Sequence, residues 1–201
     1  MRIGILGYQG GIYEHLYMIR KVFDELRLNG DVVIVKRPHH LRDIDGILIP
    51  GGESTTIGRL AKRFSTLDLI RDLIVNGTPV FGTCAGAIMM AKKVKDSVVG
   101  EVQQPLLGVM DIEVIRNFYG RQRESFEIDL EIPILGNKPF RGVFIRAPAI
   151  IKLWGDAKPL AKLDDVVVLA EQKSMLASTF HPELSGDMRL HKYFIRELVK
   201  R

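Results

Sequence analysis

The chain has 201 residues, of which 46% are hydrophobic and 26% are charged. This length and composition predict one globular domain, residues 1–201, that buries a core of its own. The single cysteine excludes a framework of intrachain disulfides and a cysteine-rich zinc site, and it indicates a cytoplasmic protein. No apolar segment is long enough to span a membrane, and the short apolar start does not fit a signal peptide.

The net charge of +5 raises the question of nucleic-acid binding. The basic residues are spread along the chain in short mixed runs such as Lys92-Lys93-Val94-Lys95-Asp96, and no DNA- or RNA-binding motif accompanies them. Runs of this kind are typical of a solvated surface. Neither a nucleic acid nor a membrane is therefore expected as a partner.

Predicted strands and helices alternate along the first half of the chain. Short apolar runs that end in turn residues predict strands, and apolar residues at helical spacing predict the helices between them. The predicted strands are Arg2–Gly7, Val32–Lys36, Gly46–Pro50 and Thr78–Gly82. The predicted helices are Tyr13–Asn29, Ser54–Arg63, Thr66–Asn76 and Ala85–Lys95. This alternation is typical of a largely parallel sheet wrapped by helices.

The second half of the chain predicts more strands than helices, and some of these strands are expected to be antiparallel. The predicted strands are Val109–Arg116, Phe126–Leu130, Val143–Ala147, Val166–Glu171 and Met175–Phe180, and an amphipathic helix over Gly186–Val199 closes the chain. The predicted fold class is therefore α/β: a single-domain, open, mostly parallel sheet flanked by helices, with additional antiparallel strands at one side.

The only cysteine lies where a predicted strand turns into a helix, in Gly82-Thr83-Cys84-Ala85-Gly86. This Gly-x-Cys-x-Gly pattern is the thiol counterpart of the nucleophile elbow, in which flanking glycines leave room for a strained turn. Such a turn holds the sulfur at the carboxyl end of the sheet, where the N–H groups of the next helix favour a thiolate and an oxyanion. The alternative is a buried structural cysteine, and the elbow alone does not decide between the two.

A thiolate nucleophile needs a general base, and one of the five histidines stands apart from the others. His181 follows a predicted strand in His181-Pro182-Glu183, where extended geometry points the imidazole and the carboxylate to the same side. Glu183 is therefore a candidate to orient His181 and to stabilise its charged form. A surface turn is the alternative for this tripeptide alone, but its combination with the elbow favours catalysis. The remaining histidines lie on the first helix, in a loop and on the last helix: His15, His39, His40 and His191.

Residues 50–56, Pro-Gly-Gly-Glu-Ser-Thr-Thr, place paired glycines before a predicted helix. One interpretation is phosphate binding by backbone N–H groups, but the lysine and the spacing of a Walker loop are missing. The interpretation we prefer is an oxyanion hole, formed by the backbone N–H groups of Gly52 and Ala85.

Together these features resemble the class I (triad) glutamine amidotransferases, and more closely the family of glutaminase subunits of pyridoxal 5′-phosphate synthase. The likeness covers essentially the whole chain, and other amidotransferase domains do not share its arginine-containing segments. The segments that carry it are residues 50–56, Gly82-Thr83-Cys84-Ala85-Gly86, Arg116-Asn117-x-x-Gly120-Arg121-Gln122, Phe144-Ile145-Arg146-Ala147-Pro148, Phe180-His181-Pro182-Glu183 and Asp187-x-Arg189-x-His191-x-x-Phe194.

The resemblance implies a flavodoxin-like sheet and an enzyme that hydrolyses L-glutamine to L-glutamate and ammonia. In this family pattern Cys84 is the nucleophile, His181 the general acid and base, and Glu183 its orienting partner. The glutamine-binding positions of the family fall on Gly52, Glu53, Ser54, Arg116, Ile145 and Arg146. The resemblance also implies a hetero-oligomer in which ammonia passes to a barrel-shaped synthase subunit, activation of the glutaminase by docking, and no metal or bound cofactor.

Two segments depart from the family pattern, and three other functions compete with it. The sequence Gly7-Tyr8-Gln9-Gly10 replaces the usual Ala-Leu-Gln-Gly, and residues 95–104 form a longer stretch than usual. Both segments are expected near the partner or at the surface, so they bear on the interface and not on the chemistry. A glutaminase of another pathway, such as histidine or tryptophan synthesis, is disfavoured by the arginine-containing segments. A related elbow-cysteine hydrolase or peptidase would not need the glycine-rich loop. A non-catalytic regulatory module is disfavoured because nucleophile, base and acid are all present.

Overall fold

The computed structural model describes residues 1–101, 103–119 and 125–200. The first half of the chain forms the parallel side of a large sheet. Its strands are β1 (Arg2–Leu6), β2 (Asp31–Val35), β3 (Gly46–Ile49) and β4 (Val80–Thr83). They lie in the order β2-β1-β3-β4 with parallel pairing, and a strand from the end of the chain, β13 (Met175–Ser178), pairs parallel to β4. This order is flavodoxin-like, and such sheets bind ligands at the carboxyl ends of their strands.

The other side of the sheet is largely antiparallel in the described residues. Outward from β13 lie β12 (Val166–Gln172), β10 (Ala149–Leu153), β7 (Met110–Arg116), β5 (Ala91–Asp96) and β6 (Gly100–Glu101). Within this side only the β5–β7 pairing is parallel, and β11 (Lys158–Leu163) pairs antiparallel with β12. Strands β8 (Ser125–Leu130) and β9 (Phe140–Ile145) form a separate antiparallel pair.

Helices cover both faces of the parallel side. They are α1 (Ile12–Glu25), α2 (Ser54–Arg63), α3 (Leu67–Val75), α4 (Ala85–Met90) and α5 (Arg189–Tyr193), which continues as a π-helical segment over Phe194–Val199. Strand β3 shows how the two apolar layers are separated: Ile47 and Ile49 pack with α2 and α3, whereas Leu48 packs with α1 and α5. The predicted α/β fold class is confirmed, and burial on both faces explains why the parallel strands are continuous apolar runs.

The helix predicted over Ala85–Lys95 is wrong in its second half. Helix α4 ends at Met90, and residues 91–96 form β5 between β7 and β6. Its backbone pairs with β7, and two cross-strand ion pairs, Lys92 with Asp111 and Lys95 with Glu113, join the same two strands. This pairing outweighs the helix propensity of a lysine-rich run.

The first helix is shorter than predicted: it ends at Glu25 and not at Asn29. Arg27 adopts a left-handed backbone with φ 51°, and the N–H of Leu28 then donates to the carbonyl of Phe23 at 2.9 Å. This closing motif usually uses glycine or asparagine, so the sequence pointed to Asn29-Gly30 as the stop.

The remaining differences lie in the second half of the chain. The strand predicted over Val143–Ala147 is the end of β9, and a turn at Arg146, with φ 43°, leads into β10. Strands β10 and β11 were not predicted, and the closing helix begins at Arg189 and not at Gly186.

Candidate active site

Cys84 lies in a strained turn between β4 and α4. Its backbone has φ 49° and ψ −102°, which residues other than glycine rarely adopt. A Cβ atom at Gly82 would lie 2.5 Å from the sulfur of Met90, and one at Gly86 would lie 2.1 Å from the carbonyl oxygen of Ile49. The flanking glycines therefore let α4 approach the sheet closely enough to form the turn. The predicted elbow geometry is confirmed.

His181 and Glu183 follow β13, the neighbour of β4 in the sheet. The backbone N–H of Cys84 donates to the carbonyl of Ser178 at 2.7 Å, which ties the ends of the two strands together. The His181 side chain lies beside Cys84 on one side, and both line the same pocket. On the other, its Nδ1 atom lies 2.7 Å from Oε1 of Glu183. The structure thus brings the three predicted catalytic side chains into one row.

The partners of His181 change its pKa. Burial alone would lower the pKa of His181, but hydrogen bonds with Cys84 and Glu183, and the charges of these groups, raise it to about 10. His181 is therefore an imidazolium at neutral pH, ready to donate a proton.

The glycine-rich loop lies directly against the imidazole. A Cβ atom at Gly51 would lie 2.3 Å from Cε1 of His181 and 3.3 Å from Cβ of Cys84. The N–H of Gly51 donates to Oγ1 of Thr83 at 3.1 Å, so the loop is also fixed to the strand that carries the cysteine. The loop thereby becomes one wall of the site.

A pocket of about 320 Å³ opens over the cysteine and the histidine. Its lining includes Cys84, His181 and all six residues predicted to bind glutamine: Gly52, Glu53, Ser54, Arg116, Ile145 and Arg146. A larger surface depression of about 690 Å³ near Lys138 and Arg189 contains none of the predicted site residues. Only the smaller pocket therefore combines the elbow with polar groups that converge on it.

Arg116 and Glu53 face each other at this pocket, with Nη2 and Oε1 3.4 Å apart. Arg116 also donates to Oε1 of Gln104 at 2.7 Å, and Glu53 accepts from the N–H groups of Thr55 at 3.0 Å and Thr56 at 2.7 Å. Burial would raise the pKa of Glu53, but these hydrogen bonds outweigh it and hold the pKa below its usual value. Arg116 and Glu53 therefore give this side of the pocket a positive and a negative group held in place by hydrogen bonds.

Three polar residues of the site were not among the predicted binding residues: Gln9, Gln104 and Asn117. Gln9 lines the pocket and accepts from the N–H of Glu53 at 2.8 Å, and Gln104 binds Ser54, Thr55 and Arg116. Gln9 and Gln104 lie in the two segments that the sequence predicted to be near a partner or at the surface. No local pattern marks Gln104, because its contacts form only when the chain folds back on α2. Residues 120–122 of the family pattern lie outside the described residues.

Two buried histidines, His15 and His191, lie next to Oε2 of Glu183, the oxygen that does not contact His181. His15 on α1 and His191 on α5 are fully buried, and Nδ1 of His15 is 3.0 Å from Nε2 of His191. The Nε2 atom of His15 is 3.0 Å from Oγ1 of Thr83 and 3.3 Å from Oε2 of Glu183. Burial, followed by the nearby His191 and His181, lowers the pKa of His15 well below its usual value, and burial lowers that of His191 to about 3. Both rings are therefore neutral at neutral pH.

Within residues 1–101, 103–119 and 125–200, no three histidine, cysteine, aspartate or glutamate side chains are grouped so that they could hold a metal ion. In the same part of the chain no helix has both the length and the apolar character that crossing a membrane requires.

The fold and the site define an α/β protein with an elbow cysteine beside a histidine–carboxylate pair, and comparison with known proteins narrows this class. The chain belongs to the SNO glutamine amidotransferase family, whose model matches residues 5–200. It is 59% identical to the "Pyridoxal 5′-phosphate synthase subunit PdxT" of Staphylothermus marinus and 58% identical to that of Aeropyrum pernix, over the full length of both chains in each case. A crystal structure of a glutamine amidotransferase is 44% identical, covers 99% of each chain and gives a TM-score of 0.85. The resemblance inferred from the motifs is confirmed.

Proposed function

We propose that residues 1–201 form one glutaminase domain, the glutamine-hydrolysing subunit of a pyridoxal 5′-phosphate synthase. The observation that carries this proposal is the row Cys84, His181 and Glu183, of which Cys84 and His181 line one pocket with the six predicted binding residues. Full-length similarity to synthase subunits of two organisms supports the pathway. The single cysteine fits work in the reducing cytoplasm.

In the first half of the reaction the Cys84 thiolate attacks the side-chain amide carbon of glutamine. The carbonyl oxygen becomes an oxyanion, and the backbone N–H groups of Gly52 and Ala85 stabilise it. Ala85 is the first residue of α4, where N–H groups have no partner within the helix. The His181 imidazolium gives its proton to the amide nitrogen, the carbon–nitrogen bond breaks, and ammonia leaves a thioester on Cys84.

In the second half water hydrolyses the thioester. His181, now neutral, takes a proton from water as the oxygen attacks the thioester carbon. The carbon–sulfur bond then breaks and releases glutamate and the Cys84 thiolate, so the enzyme returns to its starting state. Glu183 accepts from Nδ1 of His181 at 2.7 Å and keeps the other ring nitrogen directed at the cysteine throughout.

The substrate is recognised through its two charged ends. The Arg116 guanidinium binds the α-carboxylate, and the Glu53 carboxylate accepts from the α-ammonium group. In the structure these two groups face each other at 3.4 Å, so glutamine separates an existing ion pair as it binds. Ser54, Ile145 and Arg146 contribute further to the lining of the pocket. The reaction proposed here requires no metal or bound cofactor.

Ammonia passes from this pocket to a synthase subunit in a hetero-oligomer, and docking of that subunit activates the glutaminase. The printed names of the relatives describe them as subunits of a synthase, which supports an assembly of this kind.

Glutamate release from glutamine tests the proposal, with wild-type chain and the Cys84→Ala variant each assayed with and without the synthase subunit. We expect turnover that rises with the synthase subunit and is lost in the variant. Turnover that does not depend on the synthase subunit would agree with glutamine hydrolysis but contradict a role in pyridoxal 5′-phosphate synthesis. Equal turnover in the variant would contradict Cys84 as the nucleophile, and no turnover under any condition would overturn the glutaminase assignment.

A further inference from the structure

The carboxylate of Glu183 has two oxygens, and catalysis as proposed above uses one of them. Oε1 meets His181, and Oε2 is buried with no hydrogen bond of good geometry in the described part of the chain. The Nε2 atom of His15 lies 3.3 Å from Oε2, and both side chains are almost completely buried. A buried carboxylate oxygen without a donor is costly, so the state of His15 matters to Glu183.

The contacts of the two buried histidines select one proton arrangement. If His15 carried its proton on Nδ1, its bare Nε2 would face the Glu183 carboxylate. The ring of His191 would then accept at Nε2 and hold its proton on Nδ1, which is buried and has no partner among the described residues. In the opposite arrangement His191 donates from Nε2 to Nδ1 of His15, and His15 donates from Nε2 towards Glu183. Each arrangement leaves one buried donor of the described residues unpaired, which is the Nδ1–H of His191 in the first and the hydroxyl of Thr83 in the second. Only the second, however, places a proton and not a lone pair against the Glu183 carboxylate.

We propose that His15 and His191 are positioning residues of the glutaminase: His15 holds its Nε2–H between Oγ1 of Thr83 and Oε2 of Glu183, and His191 fixes the His15 tautomer that makes this possible. The row of contacts then runs from Cys84 through His181, Glu183 and His15 to His191. This inference rests on the proposed function, because it assigns a role within the same site.

The position of His15 also links the row to the loop that walls the pocket. Its Nε2 atom is 3.0 Å from Oγ1 of Thr83, which in turn accepts from the N–H of Gly51. Thr83 directly precedes Cys84. One imidazole therefore contacts both the acid of the triad and the strand end that carries the nucleophile. A histidine that merely filled the space between α1 and α5 would not need to reach either group.

Substitutions at position 15 separate positioning from packing. In His15→Gln the amide nitrogen reaches about as far as Nε2 of the imidazole, whereas in His15→Asn it reaches only about as far as Nδ1. His15→Leu removes all polar contacts. We expect the Asn and Leu variants to lower kcat for glutamate release in the complex with the synthase subunit by about tenfold or more, with KM for glutamine within about twofold. The Gln variant should recover kcat to within about threefold of wild type.

His191 is tested by the pair His191→Phe, which removes the donor, and His191→Gln, which keeps a donor near Nε2. We expect the Phe variant to lower kcat in the same direction as His15→Leu and the Gln variant to lower it less. His39 is exposed in a short 3₁₀ helix, and His39→Leu is the matched control that should leave kcat unchanged.

Alkylation of Cys84 by iodoacetamide, measured on the same variants without glutamine, separates this inference from the proposed function. We expect the alkylation rate to fall in His15→Asn and to recover in His15→Gln, even if wild type releases no glutamate. A folded His15→Asn variant with wild-type kcat and alkylation rate would overturn the inference. So would a His15→Gln variant that melts like wild type and is as slow as His15→Asn.

Discussion

The imidazole of His181 is held between the elbow and a glycine that leaves no room for a side chain. In Gly51→Ala the added methyl group would meet Cε1 of the imidazole at 2.3 Å, so the ring or the loop must move. A displacement of about 1 Å costs about 10²-fold in rate when it affects reacting groups. We expect kcat for glutamate release to fall by about that factor while the far-ultraviolet circular dichroism stays unchanged.

Gly77→Ala is the control for this substitution. A Cβ atom at Gly77, which follows α3 outside the pocket, meets no heavy atom within 4 Å, although φ of 102° makes alanine strained there. This variant should lose some stability and keep its kcat. Equal kcat values for the two alanine variants would contradict the view that Gly51 sets the position of the imidazole.

The raised pKa of His181 predicts how the unfolding free energy depends on pH. Its value of about 10 in the folded chain exceeds the ordinary value of 6.5, so binding of this proton favours the folded state. The contribution is complete below about pH 6.5 and is lost as the pH rises through about 10. We expect the difference in unfolding free energy between wild type and His181→Gln, measured in urea, to shrink steadily from pH 6.5 to pH 10. A difference that does not change with pH would show that His181 is neutral in the folded protein.

At the scale of single elements, Glu53 has two tasks that substitution can separate. Its carboxylate caps α2 by accepting from two backbone N–H groups, and it faces Arg116 at the pocket. Glu53→Ala should cost about 1 kcal/mol of unfolding free energy through loss of the cap and should also raise KM for glutamine. Glu53→Gln retains acceptor oxygen for the cap but loses the charge, so we expect most of the stability to return while KM stays high.

The measurements for Glu53 are urea unfolding and steady-state kinetics on the same preparations. Asp68→Ala removes an acidic residue from the first turn of α3, outside the pocket, and should leave KM unchanged. A Glu53→Gln variant with wild-type KM would exclude Glu53 from binding the ammonium group of the substrate.

Patterns of neighbouring residues correctly predicted the strand and turn that carry Cys84. The elements that were mispredicted, such as β5, form because of pairing with strands that are distant in sequence. The elbow and the His-Pro-Glu segment are short patterns whose geometry follows from neighbouring residues, and both appear as expected. The lysine-rich run after Met90 has no such signal, because its strand identity depends on β7, which lies later in the chain. Gln104, His15 and His191 escaped selection for the same reason: their partners are distant in sequence.

At the scale of the whole molecule, the two buried neutral histidines make the fold sensitive to acid. The pKa of His15 lies well below 6.5 and that of His191 is about 3, so the unfolded chain binds protons that the folded chain does not. The stability they contribute is present above about pH 6.5 and is lost as the pH falls below it. Each histidine adds a slope of about 1.4 kcal/mol per pH unit in that range.

The His191→Phe variant tests this explanation, because it removes one of the two titrating groups. We expect the unfolding free energy of wild type to fall more steeply between pH 6 and pH 4.5 than that of the variant. The difference in slope should correspond to about one proton, which is about 1.4 kcal/mol per pH unit. Identical slopes would mean that His191 takes up its proton in the folded state.

Strand β13 lies in the middle of the sheet, between β4 and β12, although it is the last strand of the described chain. During translation Cys84 therefore leaves the ribosome long before the segment that carries His181 and Glu183. Until that segment inserts beside β4, Cys84 lacks the histidine and the carboxylate that we propose as its base and orienting acid, and the sheet is divided into two parts. A nascent or truncated chain that stops before β13 thus carries an unactivated thiol, and hydrolysis of cellular glutamine begins only when the central strand has closed the sheet.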